Sequence, residues 1–142
     1  MLAKLLVISQ FSLIVLIAIV GNSSVFSHPL SLLMILLAII IGLTPIIQKQ
    51  FKVNVFPEVT KDMILITSGI YKYIRHPMYL SVIMLGLSFV IADPKPIMFL
   101  VWAILIFNLH LKMDIEETNL LIAFPEYKDY KRNTKRLIPY IY

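Results

Sequence analysis

The chain has 142 residues, of which 59% are hydrophobic and only 15% are charged, and it contains no cysteine. A soluble domain carries about 25% charged residues, so the composition excludes an ordinary soluble protein. The missing cysteines exclude disulfides, thiolate metal sites and a cysteine nucleophile, and the net charge of +5 is better explained by membrane topology and anionic lipid than by nucleic acid.

Four apolar blocks predict membrane helices. They cover residues 5–20, 30–47, 77–92 and 97–111, each at or just below the roughly 20 residues of a perpendicular span. The first block resembles a signal peptide in its charge and apolar run, but no small-residue cleavage pattern follows it, so we interpret it as a retained helix. The turn at residues 93–96 makes the last two blocks a helical hairpin, and whether this hairpin crosses the membrane fully is left open.

The remaining segments are too polar to span. Residues 48–76 form a connector, and residues 112–142 form a C-terminal region with a helix continuing to 124 and a second short helix from 126 to 135. The apolar, aromatic end suits a segment lying against the membrane surface or in a groove. We therefore expect one all-α integral membrane domain over residues 1–142, with about four transmembrane helices and short cytoplasmic C-terminal helices.

The distribution of basic residues predicts the topology. All but one of the thirteen Lys and Arg residues lie before the first helix, in the connector or in the C-terminal region. By the positive-inside rule, both termini and both polar clusters described next are expected on the cytoplasmic side.

Two polar clusters flank the hairpin, at residues 69–79 and 112–117. Pro77 suits the first position of a helix, whose free N–H groups and dipole favour a carboxylate or phosphate, and Arg75 adds a bidentate donor beside it. The hairpin brings the second cluster to the same depth. Taken separately, each cluster has a plainer interpretation, as a membrane anchor or as a solvated helix face.

Two adjacent glutamates belong to the second cluster. Lys112 and Glu116 are four residues apart and share a helix face, whereas Glu117 points about 100° away. The two glutamates therefore cannot do the same job. We expect one to hold a cationic ligand group and the other to pair with a basic residue such as Arg75 or Arg136.

The order of these motifs resembles a known family. The run Arg75-His76-Pro77-Met78-Tyr79 is similar to the Arg-His-Pro-x-Tyr signature of the isoprenylcysteine carboxyl methyltransferase family, which is related to the phospholipid methyltransferases. The Glu116-Glu117 pair, the aromatic run at 124–130 and the basic run ending at Pro139 resemble the family's second half. The resemblance covers residues 65–139.

The resemblance implies an S-adenosylmethionine site on the cytosolic side. Carried over position by position, the residues that contact this cofactor are Met63, Ile64, Leu65, Ile66, Tyr71, His76, Pro77, Met78, Tyr79 and Glu116. Lys112 falls where the family has a substrate-associated Arg, so it is assigned to substrate binding. Arg75 and Glu117 complete the expected site as catalytic residues.

The chemistry of methyl transfer is compatible with these expected site residues. The sulfonium donor is already activated, so methyl transfer needs no metal and no covalent nucleophile, and positioning with exclusion of water supplies most of the rate. A carboxylate acceptor needs no base, whereas an amine must lose a proton, for which Glu117 or His110 are the candidates. The cofactor's carboxylate would lie near Arg75, its ammonium near Glu116 and its adenine against Tyr71 or Tyr79.

Three positions depart from the family pattern. Lys112 replaces an Arg and weakens bidentate recognition of a carboxylate, Ser81 stands where a Gly often follows the Tyr, and Pro125 replaces a Gly. The first two bear on helix packing, cofactor approach and substrate identity more than on fold.

The sequence thus predicts methyl transfer to a membrane-partitioned acceptor. That acceptor is either a carboxylate on a prenylated thiol, a phospholipid amine or another apolar metabolite. Two alternatives stay open, a reductase of the NADPH-dependent sterol-reductase type and a non-enzymatic membrane protein. The expected partners are the lipid bilayer and a lipophilic substrate, with a partner subunit, such as a second copy of the chain, as one way to close the pocket on its lipid side.

Overall fold

The computed structural model describes residues 2–21, 23–48, 56 and 64–142. These residues form five α-helices and two short 3-10 helices, at Ser23–Phe26 and Gly69–Lys72, and no β-strand. The α-helices are α1 (Leu2–Val20), α2 (Pro29–Gln48), α3 (Pro77–Ala92), α4 (Pro96–Ala123) and α5 (Tyr127–Asn133). The expectation of an all-α membrane protein with a C-terminal helical region is confirmed.

Three of the described helices are long and apolar enough to cross a membrane, namely α1, α2 and α4. The helix α3 is also apolar but has only 16 residues. It begins at Pro77, where the missing N–H of proline is not needed, and it ends before Asp93, as the sequence predicted. The chain is an integral membrane protein.

The fourth predicted segment is longer than its apolar block. Helix α4 runs without a break for 28 residues, through the predicted cytoplasmic extension, and ends at Ala123 shortly before Pro125. This rigid extension carries Lys112, Glu116 and Glu117 on the same rod as the membrane segment. The position of the second polar cluster is therefore set by the packing of the membrane helices.

The helices pack in two pairs joined by the hairpin, with α2 against α3, α1 against α4, and α3 against α4. The core between them is apolar and is formed by Ile17, Val90, Met98, Val101, Leu105 and Leu109. Within the hairpin, a Cβ at Gly86 would lie only 2.8 Å from Cδ1 of Trp102, so the glycine lets the indole ring lie against α3. The indole Nε1 of the half-buried Trp102 donates to the carbonyl of Ile83 at 2.9 Å, which satisfies this donor.

A close contact joins α2 and α3 at Ser81, one of the three departures noted above. A Cβ at Gly42 would lie 2.9 Å from the Ser81 Oγ, which itself donates to the carbonyl of Met78 at 2.8 Å. The glycine on α2 thus accommodates the serine on α3. The helix spacing here depends on this pair.

The chain beyond α5 pairs with the segment that enters α3. The backbone amides of Arg75 and His76 donate to the carbonyls of Lys135 and Arg136, at 2.8 and 3.0 Å. Ile74 and Lys135 form an isolated parallel bridge. Lys135 and Arg136, which directly precede the apolar end of the chain, therefore fix the Arg75–His76 backbone, a role that the sequence did not indicate.

Candidate functional site

The polar clusters meet in the wall of a cavity of about 440 Å³ between the four long helices. Its volume lies in the range of about 300–1,000 Å³ that is typical of small-molecule sites. The polar part of the lining is formed by Gln10, Tyr71, Arg75, His76, Tyr79, Lys112 and Glu116. The remaining lining is mostly apolar and comes from α1, α2 and α3, with Phe11, Ile14, Ile39, Leu43, Ile46 and Leu85 as its larger members.

Glu116 and Tyr79 form the centre of the polar wall. The Tyr79 hydroxyl donates to Oε2 of Glu116 at 2.8 Å, and the His76 ring stacks on the Tyr79 ring with centroids 5.4 Å apart. The Nδ1 of His76 lies 3.7 Å from the same Glu116 oxygen. The Glu116 side chain is 30% exposed, so a carboxylate faces the cavity with room for a cationic ligand group.

Tyr71 adds a second aromatic residue to this wall and is only 7% exposed. It lies in the Gly69–Lys72 turn, and its backbone carbonyl accepts a hydrogen bond from the Tyr130 hydroxyl at 2.7 Å. Burial, followed by the charge of Glu116, raises the pKa of the Tyr71 phenol above its ordinary value. Tyr71 therefore stays a neutral aromatic surface at physiological pH.

Glu117 lies next to the cavity wall but not in it. It is 1% exposed, and four cationic or titratable side chains surround its carboxylate. Oε1 accepts from Arg75 Nε at 2.8 Å and lies 3.2 Å from His76 Nε2, whereas Oε2 lies 2.8 Å from Lys131 Nζ and accepts from Arg136 Nη2 at 3.1 Å. We call these five residues the Glu117 cluster. The expectation that one glutamate pairs with Arg75 or Arg136 is confirmed, since Glu117 pairs with both.

Arg75 joins three parts of the chain. Besides Glu117, its Nη1 donates to the backbone carbonyls of Lys131, at 3.1 Å, and Thr134. Arg75 also lines the cavity, but these contacts direct much of its guanidinium towards the C-terminal region. The first turn of α3 offers few donors as well, because the amides of Tyr79 and Leu80 both bond to the His76 carbonyl. The predicted anion site at this terminus is thus poorer in donors than the sequence suggested.

The chain matches the isoprenylcysteine carboxyl methyltransferase (ICMT) family over residues 30–122, which is more than half of its length. The chain belongs to this family. The matched range begins in α2 and ends in α4, and so contains the polar cavity wall except for Gln10. ICMT family membership implies methyltransferase activity in the membrane. No curated protein and no solved structure gave a significant match.

The ICMT cavity brings together six of the ten residues predicted to contact a cofactor: Tyr71, His76, Pro77, Met78, Tyr79 and Glu116. Ile64, Leu65 and Ile66 do not line it, and Ile64 is 78% exposed. They precede the Gly69–Lys72 turn, after which the chain enters the cavity wall. Met63 lies outside the described residues.

Lys112, the predicted substrate residue, lies in the cavity wall and is 1% exposed. Its Nζ donates to Oε1 of Gln10 on α1 at 2.5 Å and lies 5.1 Å from the centroid of the Tyr79 ring. Gln10 lies within the first predicted apolar block, and the sequence analysis assigned it no role. The signal that would have found it is an amide within a membrane helix, which is costly unless it is satisfied.

His110, a predicted proton acceptor, lies away from the cavity lining. Its Nδ1 is 3.0 Å from the Tyr142 hydroxyl, its Nε2 is 3.5 Å from Asp114, and its ring stacks on that of Tyr142. It therefore belongs to the contact between α4 and the C-terminal end of the chain, which the sequence did not predict.

Proposed function

We propose that this ICMT family member transfers a methyl group from S-adenosylmethionine to a membrane-partitioned acceptor. The observation that carries the proposal is the cavity whose lining combines Glu116, Tyr79, Tyr71 and His76 with a mostly apolar remainder. One cavity thus offers groups for a charged cofactor and a surface for a lipophilic acceptor.

The polar and aromatic residues of the cavity wall suit the chemical groups of S-adenosylmethionine. S-adenosylmethionine supplies an activated methyl group on a sulfonium, together with an ammonium, a carboxylate and an adenine ring. Glu116 is the residue suited to the ammonium, because it faces the cavity and keeps part of its surface exposed. Tyr71 and Tyr79 offer aromatic faces to the adenine or to a cation. The protein's own contribution is to bind the cofactor and the acceptor, to orient them and to exclude water.

The apolar side chains that line the cavity support a lipophilic acceptor. Phe11 and Ile14 of α1 face the cavity together with Ile39, Leu43 and Ile46 of α2. These side chains supply the apolar surface that such an acceptor needs. An acceptor with an apolar chain would enter from the membrane and leave its polar head at the wall formed by Glu116 and Lys112.

The geometry favours a carboxylate over an amine as the reacting group. An amine must lose a proton, and the two predicted acceptors of that proton, Glu117 and His110, are outside the cavity lining. A carboxylate needs no base and finds the Lys112 ammonium in the wall. We therefore assign Glu117 and Arg75 to holding the site together rather than to proton transfer.

The Glu117 cluster also supports an inference about the side of the membrane on which the site lies. The Glu117 cluster lies at the end of the bundle that carries the basic C-terminal region. We infer from the positive-inside rule that this end and both termini are cytoplasmic.

Titration of the detergent-purified protein with S-adenosylmethionine, and with NADPH as the control, tests the proposal. We expect saturable binding of S-adenosylmethionine alone. Saturable NADPH binding would favour a reductase instead, and no binding of either would favour a non-enzymatic membrane protein.

The acceptor chemistry is tested with membranes and methyl-labelled S-adenosylmethionine. A methyl ester releases labelled methanol in base, whereas an N-methyl group is stable. We expect base-labile label in the lipid-soluble fraction, and base-stable label would contradict the carboxylate assignment.

A further inference from the structure

Gln10 gives the cavity a polar residue from α1, outside both motifs and outside the range matched by the family. It is 7% exposed within a predominantly apolar helix. A buried amide without a partner is costly, particularly at membrane depth. Its Oε1 meets this need by accepting from Lys112 Nζ, which is 102 positions away in the sequence.

The chemistry of the two side chains fixes their orientation. An ammonium only donates hydrogen bonds, so the oxygen of the Gln10 amide must be the atom that faces it. The flexible Lys112 side chain is then held between this oxygen and the face of the Tyr79 ring. Both contacts keep Nζ at the cavity wall.

The neutrality of Gln10 matters as much as its position. A carboxylate at position 10 would hold the ammonium equally well but would cancel its charge. An amide orients the cation without adding a second negative charge to that of Glu116, which already acts on Lys112, and each such charge counts for more in the low dielectric of the site.

We propose that Gln10 is a positioning residue that holds the Lys112 ammonium at the cavity wall to receive the anionic group of the acceptor. The inference rests on the proposed function and adds a specificity determinant from α1. It predicts that substitutions of Gln10 change the discrimination between anionic and neutral acceptors without changing the recognition of the apolar chain.

The test uses the full chain in detergent and two matched probes, N-acetyl-S-farnesylcysteine and its carboxamide, which share an apolar chain and differ in charge. We expect the wild-type protein to bind the carboxylate about tenfold more tightly. In Gln10→Leu this preference falls to about twofold, and in Gln10→Glu it disappears, because the new carboxylate pairs with Lys112. Affinity for the carboxamide stays within about twofold of the wild-type value in both variants.

Two controls separate positioning from packing. Ser9 is the neighbouring residue on α1 and bonds Asn108 on α4, so Ser9→Ala perturbs the same helix contact and should leave the carboxylate preference unchanged. In a double-mutant cycle, Gln10→Leu should add nothing to Lys112→Met, because its effect passes through Lys112.

A wild-type protein without a preference for the carboxylate would overturn the inference, as would a Gln10→Leu variant that keeps the full preference. Equal loss of both probes in Gln10→Leu would show a merely structural role and would overturn it too. Binding of S-adenosylmethionine is measured on the same samples. Its absence from the wild-type protein would refute the proposed function, whereas its presence in each of these cases would leave methyl transfer standing and remove only the role of Gln10.

Discussion

Two adjacent glutamates of α4 lie in opposite surroundings. Glu117 is buried, and its oxygens are shared among Arg75, Lys131 and Arg136 as well as His76. The Glu116 side chain is 30% exposed and accepts from a neutral phenol at the cavity wall. A carboxylate matched by cations of its own chain stabilises tertiary structure, whereas one bonded to a phenol keeps its charge for a ligand. The comparison therefore separates the residues that hold the site together from those that bind in it.

The largest expected effect is on stability, in Glu117→Gln. This change leaves the buried guanidinium of Arg75 without its counter-charge, and breaking a buried ion pair in this way costs about 3–5 kcal/mol. We expect a large fall in the apparent unfolding temperature in detergent. The control is Glu126→Gln, the same change at an exposed residue, and an unchanged unfolding temperature for Glu117→Gln would contradict the role assigned to the Glu117 cluster.

Glu116→Gln is the same change at the glutamate that faces the cavity. It removes the charge proposed to bind the cofactor's ammonium, and hydrogen bonds to charged groups are worth about 1.5–3 kcal/mol, which corresponds to roughly ten- to a hundredfold in affinity. Isothermal titration with S-adenosylmethionine should show this weakening while the unfolding temperature stays near that of the wild type. Unaltered affinity would show that Glu116 does not bind the cofactor.

A smaller effect is expected for Tyr79→Phe. The ring remains stacked on His76 and beneath Lys112, and only the hydrogen bond to Glu116 is lost. Because the hydroxyl acts on the cofactor only through the orientation of Glu116, cofactor affinity should fall by less than in Glu116→Gln, roughly three- to tenfold. Tyr73→Phe serves as the control because Tyr73 is 50% exposed. Equal effects of the two changes would mean that the Tyr79 hydroxyl does not orient Glu116.

The smallest effect is expected for Lys131→Met. Its side chain is 38% exposed, against 7% for that of Arg75, although both contact Glu117 at 2.8 Å. A partly exposed pair contributes about 0–1 kcal/mol, so the unfolding temperature should fall by a few degrees at most. Arg75→Met should cost much more, because it also removes bonds to the Lys131 and Thr134 carbonyls. Similar losses in the two variants would show that burial does not decide the strength of these contacts.

Local signals in the sequence predicted most of the helices. Pro77 and the turn at 93–96 bound α3 at the residues where the structure has it, since the effects of proline on a helix end act over a single turn. The different jobs of Glu116 and Glu117 were also predictable, because a helix turns by about 100° per residue. Both predictions depend only on neighbours within a few positions.

Contacts between distant segments were not predictable in the same way. The pairing of residues 135 and 136 with residues 75 and 76 joins segments about sixty positions apart, and the bond from Lys112 to Gln10 joins helices at opposite ends of the chain. Ile64 to Ile66 were assigned to the site by resemblance, yet do not line the cavity. Such placements depend on how whole helices pack, and a local sequence pattern does not determine this packing.

The sequence by itself determined that this is an all-α membrane protein, where α3 begins and ends, and that its two polar clusters meet at one depth. These properties follow from apolar length, proline and helical period. Only the tertiary structure decided that Glu117 is buried among cationic side chains of its own chain and that α1 supplies Gln10 to the cavity wall. The physical reason is that the rotation of each helix about its axis is set by side-chain packing against its neighbours, as at Gly42 and Ser81.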